Sequence, residues 1–266
     1  MLIKCDALRL DEIKHNGTTK PLVIECEYSD EDIPVRKTLL VKANGLPRIT
    51  NLDLYCEILG NLLAREFGIE TPEPFIVKID EDFVRVNRKI LWENRLSLKT
   101  GLGVGCEYFS QGFTVVNSNM FLSKEKLEQA IMIYGFDLLT QNPDRRETNP
   151  NCALKGDKIM AFDFEKSLSF LYPILGQKSE PWELSKLKLS GDDRHIFKTN
   201  LKAREKEINW QPLVEKVKQI NKEKVEELCS LIPPEFGNYT DKICEHFAFL
   251  ISNSKSLELE LQRSLL

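Results

Sequence analysis

The stretch QNPDRRETNPN, residues 141–151, is a densely polar segment between two apolar ones. The apolar sequence IMIYGFDLL precedes it, and KIMAFDF follows a few residues later. Its composition alone is typical of a capped surface loop, because Asn, Asp, Pro and Thr favour turns. A rigid scaffold on both sides would instead hold the charged groups of the loop in fixed positions, as functional loops require. The rest of the sequence has to decide between these two interpretations.

The length and charge of the chain limit the kinds of protein that it can be. Its 266 residues are enough for one large or two small domains, and 42% apolar with 29% charged residues is ordinary for a globular protein. A formal net charge of −4 gives no overall basic surface, so direct nucleic-acid binding is not expected. No apolar run approaches the roughly 20 residues that span a bilayer, so membrane insertion is not expected either.

Seven cysteines are scattered along the chain without the close spacing of a zinc site. Their odd number and wide separation favour reduced thiols, which is the usual state of cysteine in the cytosol. The first ten residues, MLIKCDALRL, lack the long apolar core of a signal peptide. We therefore expect a cytoplasmic protein.

The first half of the chain is rich in predicted strands. PLVIECEY and KTLLVKA are β-prone runs separated by the acidic turn SDEDIP, and PFIVKID with DFVRVNR has the pattern of a second hairpin. Between these pairs, TNLDLYCEILGNLLAREFG predicts a helix that Thr50 or Asn51 caps and Gly68 closes. This half is predicted to be a strand-rich lobe with one helix.

The second half is rich in predicted helices. SKEKLEQAIMIYGFDLLT predicts a helix with Ser123 as its cap. KIMAF predicts a short buried strand, and helical patterns such as WQPLVEKVKQI dominate from about residue 183 onward. This half is predicted to be a helix-rich lobe.

The segregation of strands and helices predicts an α+β fold. The lobe boundaries that we expect are residues 1–110 for the N-terminal lobe and 111–266 for the C-terminal lobe. The glycine-rich sequence KTGLGVGCEYFSQG, residues 99–112, is expected to join them. Because clefts favour domain junctions, a ligand between the lobes is the first expectation.

The polar loop and the strand after it supply three side chains suited to phosphoryl transfer. That reaction needs metal ions on the phosphates, a carboxylate near the attacking hydroxyl and a cation on the nucleotide. Asp144 precedes Asn149 by five residues in the loop, and Asp163 stands at the end of the strand in KIMAFDF. Oxygen ligands of this kind suit Mg²⁺. A carboxylate at the edge of a buried strand also calls for a metal or cationic partner, because an isolated buried charge is costly.

The strand-rich half supplies the matching cation. Lys42 ends the strand TLLVK, and Glu57 lies in the middle of the helix that follows. Small or short residues surround Glu57 on its helix face, which would let the helix approach the strand closely enough for an ion pair with Lys42. A single strand-terminal Lys or helical Glu is usually solvated, so the pair carries weight only together with the polar loop.

The three histidines, His15, His195 and His246, stand alone in the sequence. None has a carboxylate or cysteine at the spacing of a metal ligand. We expect structural or surface roles for them rather than metal binding or general base catalysis.

Taken in order, LLVKA, NLDLYCEILGNLLAREFGIETPEP, NPDRRETNPN and AFDFE resemble the pattern of HipA-like kinases. The resemblance covers most of the chain, and its central motif is an Asp-Arg pair with an Asn five residues after the Asp. It implies a bilobal protein-kinase-like fold, shared with phosphatidylinositol kinases, with a small strand-rich N-lobe and a larger helical C-lobe. It also implies ATP and Mg²⁺ as cofactors.

The resemblance implies roles for the residues of the polar loop. Asp144 and Arg145 match the catalytic pair, with Asp144 as the base, and Asn149 and Asp163 match the Mg²⁺ ligands. Two departures from the family pattern stand out: the metal Asp begins DFE rather than DFG, and Arg146 stands where many relatives carry His. Activation-loop flipping as in eukaryotic protein kinases is therefore not implied.

The resemblance also implies where ATP is held. No G-x-G-x-x-G precedes the strand lysine, so the nearest candidate for a phosphate loop is the sequence NGTTK before PLVIE. The order of segments puts the hinge at GCEYFSQG, whose backbone would contact the adenine. The residues expected to contact ATP are Lys42, Glu57, Gly17, Thr18, Thr19, Glu107 and Tyr108.

The leading hypothesis is an ATP- and Mg²⁺-dependent kinase that phosphorylates serine or threonine of a protein substrate. The resemblance further implies the toxin of a toxin–antitoxin module, with an antitoxin as partner. Two alternatives stay open: a kinase for a lipid or small-molecule hydroxyl, and a non-catalytic nucleotide-binding scaffold. The complete set of lysine, glutamate, two aspartates and asparagine argues against the scaffold, since loss of activity usually removes one of them.

Overall fold

The computed structural model confirms an α+β protein, with strands concentrated in the N-terminal part and most helices in the C-terminal part. By their internal contacts the residues form two compact units. The lobe boundary expected at residues 110 and 111 lies outside the described residues. The described residues are 2–15, 17–109, 112–173, 180–187 and 194–266.

A closed five-stranded barrel forms most of the first unit, which takes in the described residues of 1–58, 72–111 and 233–237. Its strands are β1 (Ile3–Ile13), β2 (Leu22–Asp30), β3 (Ile33–Ala43), β4 (Pro74–Ile79) and β5 (Gly101–Glu107). Around the barrel the order is β1-β2-β3-β5-β4, and the parallel pairing of β1 with β4 closes it. The other pairings are antiparallel.

The predicted hairpin of PLVIECEY with KTLLVKA is confirmed as β2 and β3. Their register pairs Leu22 with Val41 and Asp30 with Ile33. The ends of the two strands at Leu22 and Ala43 are buried, whereas the ends beside the turn are half-buried or exposed. The hairpin therefore fixes the strand end that carries Lys42.

The glycine-rich sequence expected to join the lobes is mostly strand β5, which lies between β3 and β4 in the barrel. A Cβ added at Gly103 would lie 2.8 Å from the Lys42 carbonyl oxygen, which is too close for a real side chain. The glycine therefore lets β5 approach β3 beside the lysine. The end of this sequence, residues 110 and 111, lies outside the described residues.

The predicted helix between the strand pairs is confirmed as α1 (Asn51–Glu66). Thr50 is its cap: the Thr50 hydroxyl accepts a hydrogen bond of 3.3 Å from the Asp53 amide. In return, the Asp53 carboxylate accepts hydrogen bonds from the Thr50 amide and hydroxyl at 2.8 and 2.6 Å. This reciprocal arrangement is a capping box with Asp in place of Glu. Gly68 follows the helix with a φ of 77°, and its amide donates to the Arg65 carbonyl at 2.9 Å.

The second predicted hairpin is wrong in its second strand. PFIVKI forms β4, but DFVRVNR lies in two short helices, α2 (Glu81–Val86) and α3 (Arg88–Glu93). The Asp80 carboxylate accepts a hydrogen bond of 2.7 Å from the Phe83 amide and so caps α2. The cap and the acidic first turn outweigh the alternating pattern, because both favour a helix N-terminus.

The second unit takes in the described residues of 59–71, 112–232 and 238–266. It contains a small three-stranded sheet in the order β6-β7-β8, together with helices α4 to α9. The strands are β6 (Thr114–Val115), β7 (Cys152–Lys155) and β8 (Lys158–Ala161). The helices are α4 (Lys124–Leu139), α5 (Lys198–Ala203), α6 (Gln211–Gln219), α7 (Lys222–Ser230), α8 (Thr240–Ser252) and α9 (Ser254–Ser264).

Helix α4 is the central element of this unit and confirms the predicted cap. The Ser123 hydroxyl accepts a hydrogen bond of 3.3 Å from the Lys126 amide. Its C-terminal half is buried on all sides, so the chain enters the polar loop from a rigid, packed helix. The loop then leads into the hairpin of β7 and β8, whose end precedes Asp163.

Two further expectations concern cysteine and the membrane. All seven cysteines lie in the described part of the chain and are free thiols. Across the described residues, no helix combines the length and apolar character needed to span a bilayer.

Candidate active site

Asp144 lies at the centre of a hydrogen-bonded cluster in the polar loop of the second unit. Its Oδ2 accepts hydrogen bonds from Asn149 Nδ2 at 2.9 Å and Asn151 Nδ2 at 3.3 Å. Its Oδ1 accepts one from Arg146 Nη2 at 3.0 Å. The side chain is 23% exposed, so a carboxylate held by three donors still reaches solvent. The structure thus brings the expected base together with the expected asparagine.

Arg146 forms an ion pair with Asp144. Its backbone also closes the loop: the Arg146 amide donates to the Asn149 carbonyl at 2.9 Å, and the Asn149 amide returns a bond of 3.1 Å. The loop is therefore a tight, internally bonded turn. The hydrogen bonds among the loop's own polar groups therefore hold this stretch in one conformation.

Arg145 anchors the loop in the core and does not face solvent. Its Nε donates to Asp137 Oδ2 at 2.6 Å, and both side chains are 0% exposed. Its Nη1 donates to the Asn151 carbonyl and, at 3.2 Å, to the Phe162 carbonyl. One guanidinium therefore ties together helix α4, the end of the loop and the strand end before Asp163.

Asp137 is a buried carboxylate that the sequence did not single out. It accepts hydrogen bonds from Asn142 Nδ2 at 2.8 Å and His195 Nε2 at 2.9 Å, in addition to the bond from Arg145. Burial alone would raise the pKa of Asp137, but the charge of Arg145 and the bond from His195 hold that pKa below its ordinary value. Asp137 therefore stays ionised and pins the arginine in place.

Asp163 follows β8 and shares its surroundings with a second acid. Carboxylate oxygens of Asp163 and Glu165 lie within 4.8 Å of each other. Asp163 adopts a left-handed backbone conformation with a φ of 60°, a conformation that clusters at functional sites. The Phe162 amide donates to the Asn151 carbonyl at 3.0 Å, so the segment before Asp163 is bonded to the end of the loop.

The donor chemistry of these residues fits a hard divalent cation. Asn149 uses its amide nitrogen on Asp144, which leaves its amide oxygen as a ligand atom. Asp163 and Glu165 add carboxylate oxygens. Mg²⁺ prefers oxygen ligands of this kind, with waters and phosphates completing its shell.

Phe164, between the two acids, fixes the segment against α1. A Cβ added at Gly60 would lie 2.7 Å from the Cβ of Phe164. The small residues of this helix face were expected to admit a strand. At Gly60 the structure instead shows that the side chain of Phe164 packs against the helix.

In the first unit, Lys42 and Glu57 form the expected ion pair. Lys42 Nζ lies 2.9 Å from Glu57 Oε2, and the two side chains are 10% and 14% exposed. β3 supplies the lysine and α1 the glutamate. Largely shielded from water, the pair holds the ammonium at a defined place at the end of β3.

The expected phosphate loop, Gly17 to Thr19, lies in the turn between β1 and β2. Gly17 has a φ of 93°, which favours glycine, and residues 17 and 18 are exposed. Leu22, the first residue of β2 after this turn, pairs with Val41, the residue before Lys42, so the turn leads into β2 beside the C-terminal end of β3. Asn16, the first residue of NGTTK, lies outside the described residues.

Glu107 and Tyr108, the expected hinge residues, stand at the end of β5. Glu107 pairs with Leu39 of β3. The Tyr108 amide donates to the Thr38 carbonyl at 3.0 Å, and its hydroxyl accepts a hydrogen bond of 2.5 Å from Lys14 Nζ. The Tyr108 amide is therefore used within the barrel and is not open to a base.

A family model for HipA-like kinases matches residues 11–263. The protein therefore belongs to the HipA-like kinase family, which confirms the resemblance drawn from the sequence and makes phosphoryl transfer the class of reaction. Among solved structures, the chain is similar to the proinflammatory kinase CtkA of Helicobacter pylori, with 12% identity and a TM-score of 0.48 over 100% of this chain and 96% of that chain. No curated protein matches the sequence.

Proposed function

We propose that the protein is a cytoplasmic, ATP- and Mg²⁺-dependent kinase that phosphorylates serine or threonine of a protein. The proposal includes a protein-kinase-like bilobal fold with a small N-lobe and a larger C-lobe. The observation that carries it is the Asp144 carboxylate, which reaches solvent while three side-chain donors fix its direction. A general base must lie within hydrogen-bond reach of the substrate hydroxyl, and a carboxylate that is both oriented and accessible to solvent can do so.

In this proposal Asp144 orients the acceptor hydroxyl and takes its proton as the phosphoryl group is transferred. The amide nitrogens of Asn149 and Asn151 hold one carboxylate oxygen. Arg145 acts through its buried bonds to Asp137 and to the loop carbonyls, so we assign it as a positioning residue rather than one that touches the substrate.

Asn149 and Asp163 would hold Mg²⁺, and the carboxylate of Glu165 is close enough to Asp163 to share in that task. The ion supplies charge neutralisation on the phosphates of the nucleotide. The chain itself contributes the fixed direction of the asparagine oxygen and the left-handed turn that presents Asp163.

Lys42 would bind the phosphates of ATP, with Glu57 holding its ammonium in place. The turn Gly17–Thr19 would cover the phosphates, and Glu107 with the carbonyl of Tyr108 would contact the adenine. The supports are the ion pair and the position of the turn beside the end of β3. Because the Tyr108 amide already donates to the Thr38 carbonyl, the contact proposed for this residue is through its carbonyl.

The protein acceptor and a role as the toxin of a toxin–antitoxin module, with an antitoxin as partner, rest on the family match alone. A lipid or small-molecule acceptor uses the same chemistry at the same carboxylate. The acceptor therefore has to be found by experiment.

The test is transfer of labelled γ-phosphate from Mg-ATP in a lysate, followed by mass spectrometry of the labelled species. The natural chain is compared with Asp144→Asn and Asp163→Asn, which keep side-chain size. We expect transfer to fall about 100-fold or more in the first variant, as for loss of a general base. Asp157→Asn, at an 85% exposed position after β7, is the matched control and should retain full transfer.

Equal labelling by all four proteins would remove the catalytic claim. Labelled lipid or metabolite without labelled protein would reassign the acceptor. Stabilisation by Mg-ATP in a thermal-shift titration checks binding separately, and at 100 times the dissociation constant it should reach about 2.7 kcal/mol.

A further inference from the structure

We propose that His195 is a positioning residue for phosphoryl transfer and that it fastens the segment Arg194–Phe197 to the catalytic loop, residues 144–149. The inference rests on the proposed function, because it concerns the alignment of Asp144. It gives a role to a histidine that lies 58 positions from its carboxylate partner in the sequence.

The backbone provides the first link between the segment and the loop. Arg146 and His195 face each other in a short antiparallel bridge. Two backbone hydrogen bonds of 2.9 and 3.3 Å flank it, from the Glu147 amide to the Arg194 carbonyl and from the Ile196 amide to the Arg145 carbonyl. Both bonds engage residues within three positions of Asp144, so a shift of the segment would shift the loop.

The imidazole ring provides the second link, and its hydrogen bonds define its tautomer. Nδ1 of His195 accepts a hydrogen bond of 3.2 Å from the Phe197 amide. The ring proton is therefore on Nε2, which donates to Asp137 Oδ2 at 2.9 Å. Burial lowers the pKa of His195, which favours this neutral form. The edge of the ring also packs against Tyr134, with 4.9 Å between ring centroids.

Asp137 connects this ring to the catalytic loop. The same oxygen, Oδ2, accepts the bonds from His195 and from Arg145 Nε. Removing the imidazole would leave a fully buried carboxylate with one donor fewer and would release one side of the bridge. Both effects act on Arg145 and so on the residue before it, Asp144. A displacement of about 1 Å at such a residue is enough to cost about 100-fold in rate.

Two substitutions separate the hydrogen bond from the volume of the ring. His195→Leu fills the site without a donor, whereas His195→Gln keeps an amide N–H that can reach Asp137. We expect His195→Leu to lower kcat by about 10- to 100-fold with the KM for ATP within about twofold. His195→Gln should recover most of the loss.

His246→Gln is the matched control, because His246 is also a buried histidine and its Nε2 donates to the Leu139 carbonyl at 2.7 Å. It lies outside the proposed machinery and should keep the kcat of the natural chain. If kcat fell equally in His195→Leu and His246→Gln, the loss would follow from changing any buried histidine. That result would contradict the inference.

A readout that does not need activity separates this inference from the proposed function. In the natural chain, ¹⁵N NMR of the imidazole should give the Nε2–H tautomer, and hydrogen exchange should find the amides of Glu147 and Ile196 protected. Protection of both should drop at least tenfold in His195→Leu.

If the natural chain transfers no phosphate but these signals behave as expected, the proposed function fails and the anchoring role stands. Unchanged protection, the Nδ1–H tautomer, or an unchanged kcat in an active protein each overturns the inference. If His195→Leu does not fold, the tautomer of His195 in the natural chain decides.

Discussion

The Asp137 carboxylate and the Arg145 guanidinium form an ion pair from which solvent is excluded, with 2.6 Å between Nε and Oδ2 and no exposed side-chain surface on either residue. The pair joins the last turn of α4 to the residue after Asp144. Two charges in a low-dielectric interior interact strongly, but each is also expensive to bury. The polar loop therefore depends on the pair. This supports the interpretation that packed flanking segments hold the charged groups of the loop in fixed positions, rather than that of a capped surface loop.

Breaking this pair from one side should destabilise the protein severely. Arg145→Met or Asp137→Leu leaves an unpaired buried charge, so we expect each to lower the free energy of unfolding by about 3–5 kcal/mol. Urea denaturation measures the loss. Asp157→Asn, which breaks an exposed ion pair with Lys126, should cost less than about 1 kcal/mol.

The double variant Asp137→Leu/Arg145→Met replaces the ion pair with apolar groups of similar size. It should recover part of the loss of the single variants, because no uncompensated charge remains. It should nevertheless have little phosphoryl transfer, since nothing then holds the loop. Additive losses in the double variant would contradict the assigned coupling.

The Lys42–Glu57 pair should be coupled in Mg-ATP binding. Lys42→Met removes the cation for the phosphates, whereas Glu57→Gln removes only the group that orients it, so the first change should weaken binding more. A double-mutant cycle by calorimetry should give a coupling of about 0.5–3 kcal/mol. Lys78→Met, at a 65% exposed position on β4, is the control and should bind Mg-ATP normally. Zero coupling would mean that the glutamate does not act through the lysine.

Local signals in the sequence predicted the parts of the fold and site that local chemistry determines. The capping box of Thr50 and Asp53 fixed the start of α1, and the helix then carries Glu57 to Lys42. In DFVRVNR two local signals conflict, because the alternating pattern predicted a strand whereas the cap at Asp80 favours a helix. There the cap and the acidic first turn together outweigh the alternating pattern.

Contacts between distant residues could not be predicted in the same way. Asp137 is the one acid in the buried C-terminal half of α4, and its partner His195 stands 58 residues later without any motif around it. The sequence suggested a structural or surface role for that histidine. An ionisable residue inside a buried helix was the available signal, because a buried carboxylate requires donors that must come from elsewhere in the chain.

Stability should fall as the pH drops from about 6.5 to about 4, because buried histidines resist protonation. Burial lowers the pKa of His246 to about 4, below its ordinary value of about 6.5. Between these values the unfolded chain binds more protons than the folded one, so the free energy of unfolding decreases as pH decreases. His246 alone accounts for about 3 kcal/mol over this range. His195 acts in the same direction, since burial lowers its pKa as well.

Urea denaturation at several pH values compares the natural chain with His246→Gln. The glutamine keeps a donor for the Leu139 carbonyl but does not titrate, so the slope of stability against pH should become shallower without vanishing. An identical slope in both proteins would show that His246 is protonated equally in the folded and unfolded states.

Gly60→Ala should displace Phe164 and with it the segment that carries Asp163. Alanine is favoured over glycine inside a helix by about 1 kcal/mol, so the substitution would stabilise an open helix face. Here the new Cβ would lie 2.7 Å from the Cβ of Phe164, an atom that no rotamer change can move. We therefore expect a net loss of about 1–3 kcal/mol in the free energy of unfolding, together with weaker binding of Mg²⁺ in the presence of ATP.

Gly135→Ala in α4 is the matched helical control. Its new Cβ would lie 2.1 Å from a terminal methyl of Leu213, an atom at the far end of a flexible side chain rather than a Cβ. The control should therefore lose less stability than Gly60→Ala and should bind Mg-ATP with unchanged affinity. Calorimetry and urea denaturation on both variants decide the matter. Equal effects on the two would mean that the contact of Gly60 with Phe164 does not set the position of Asp163.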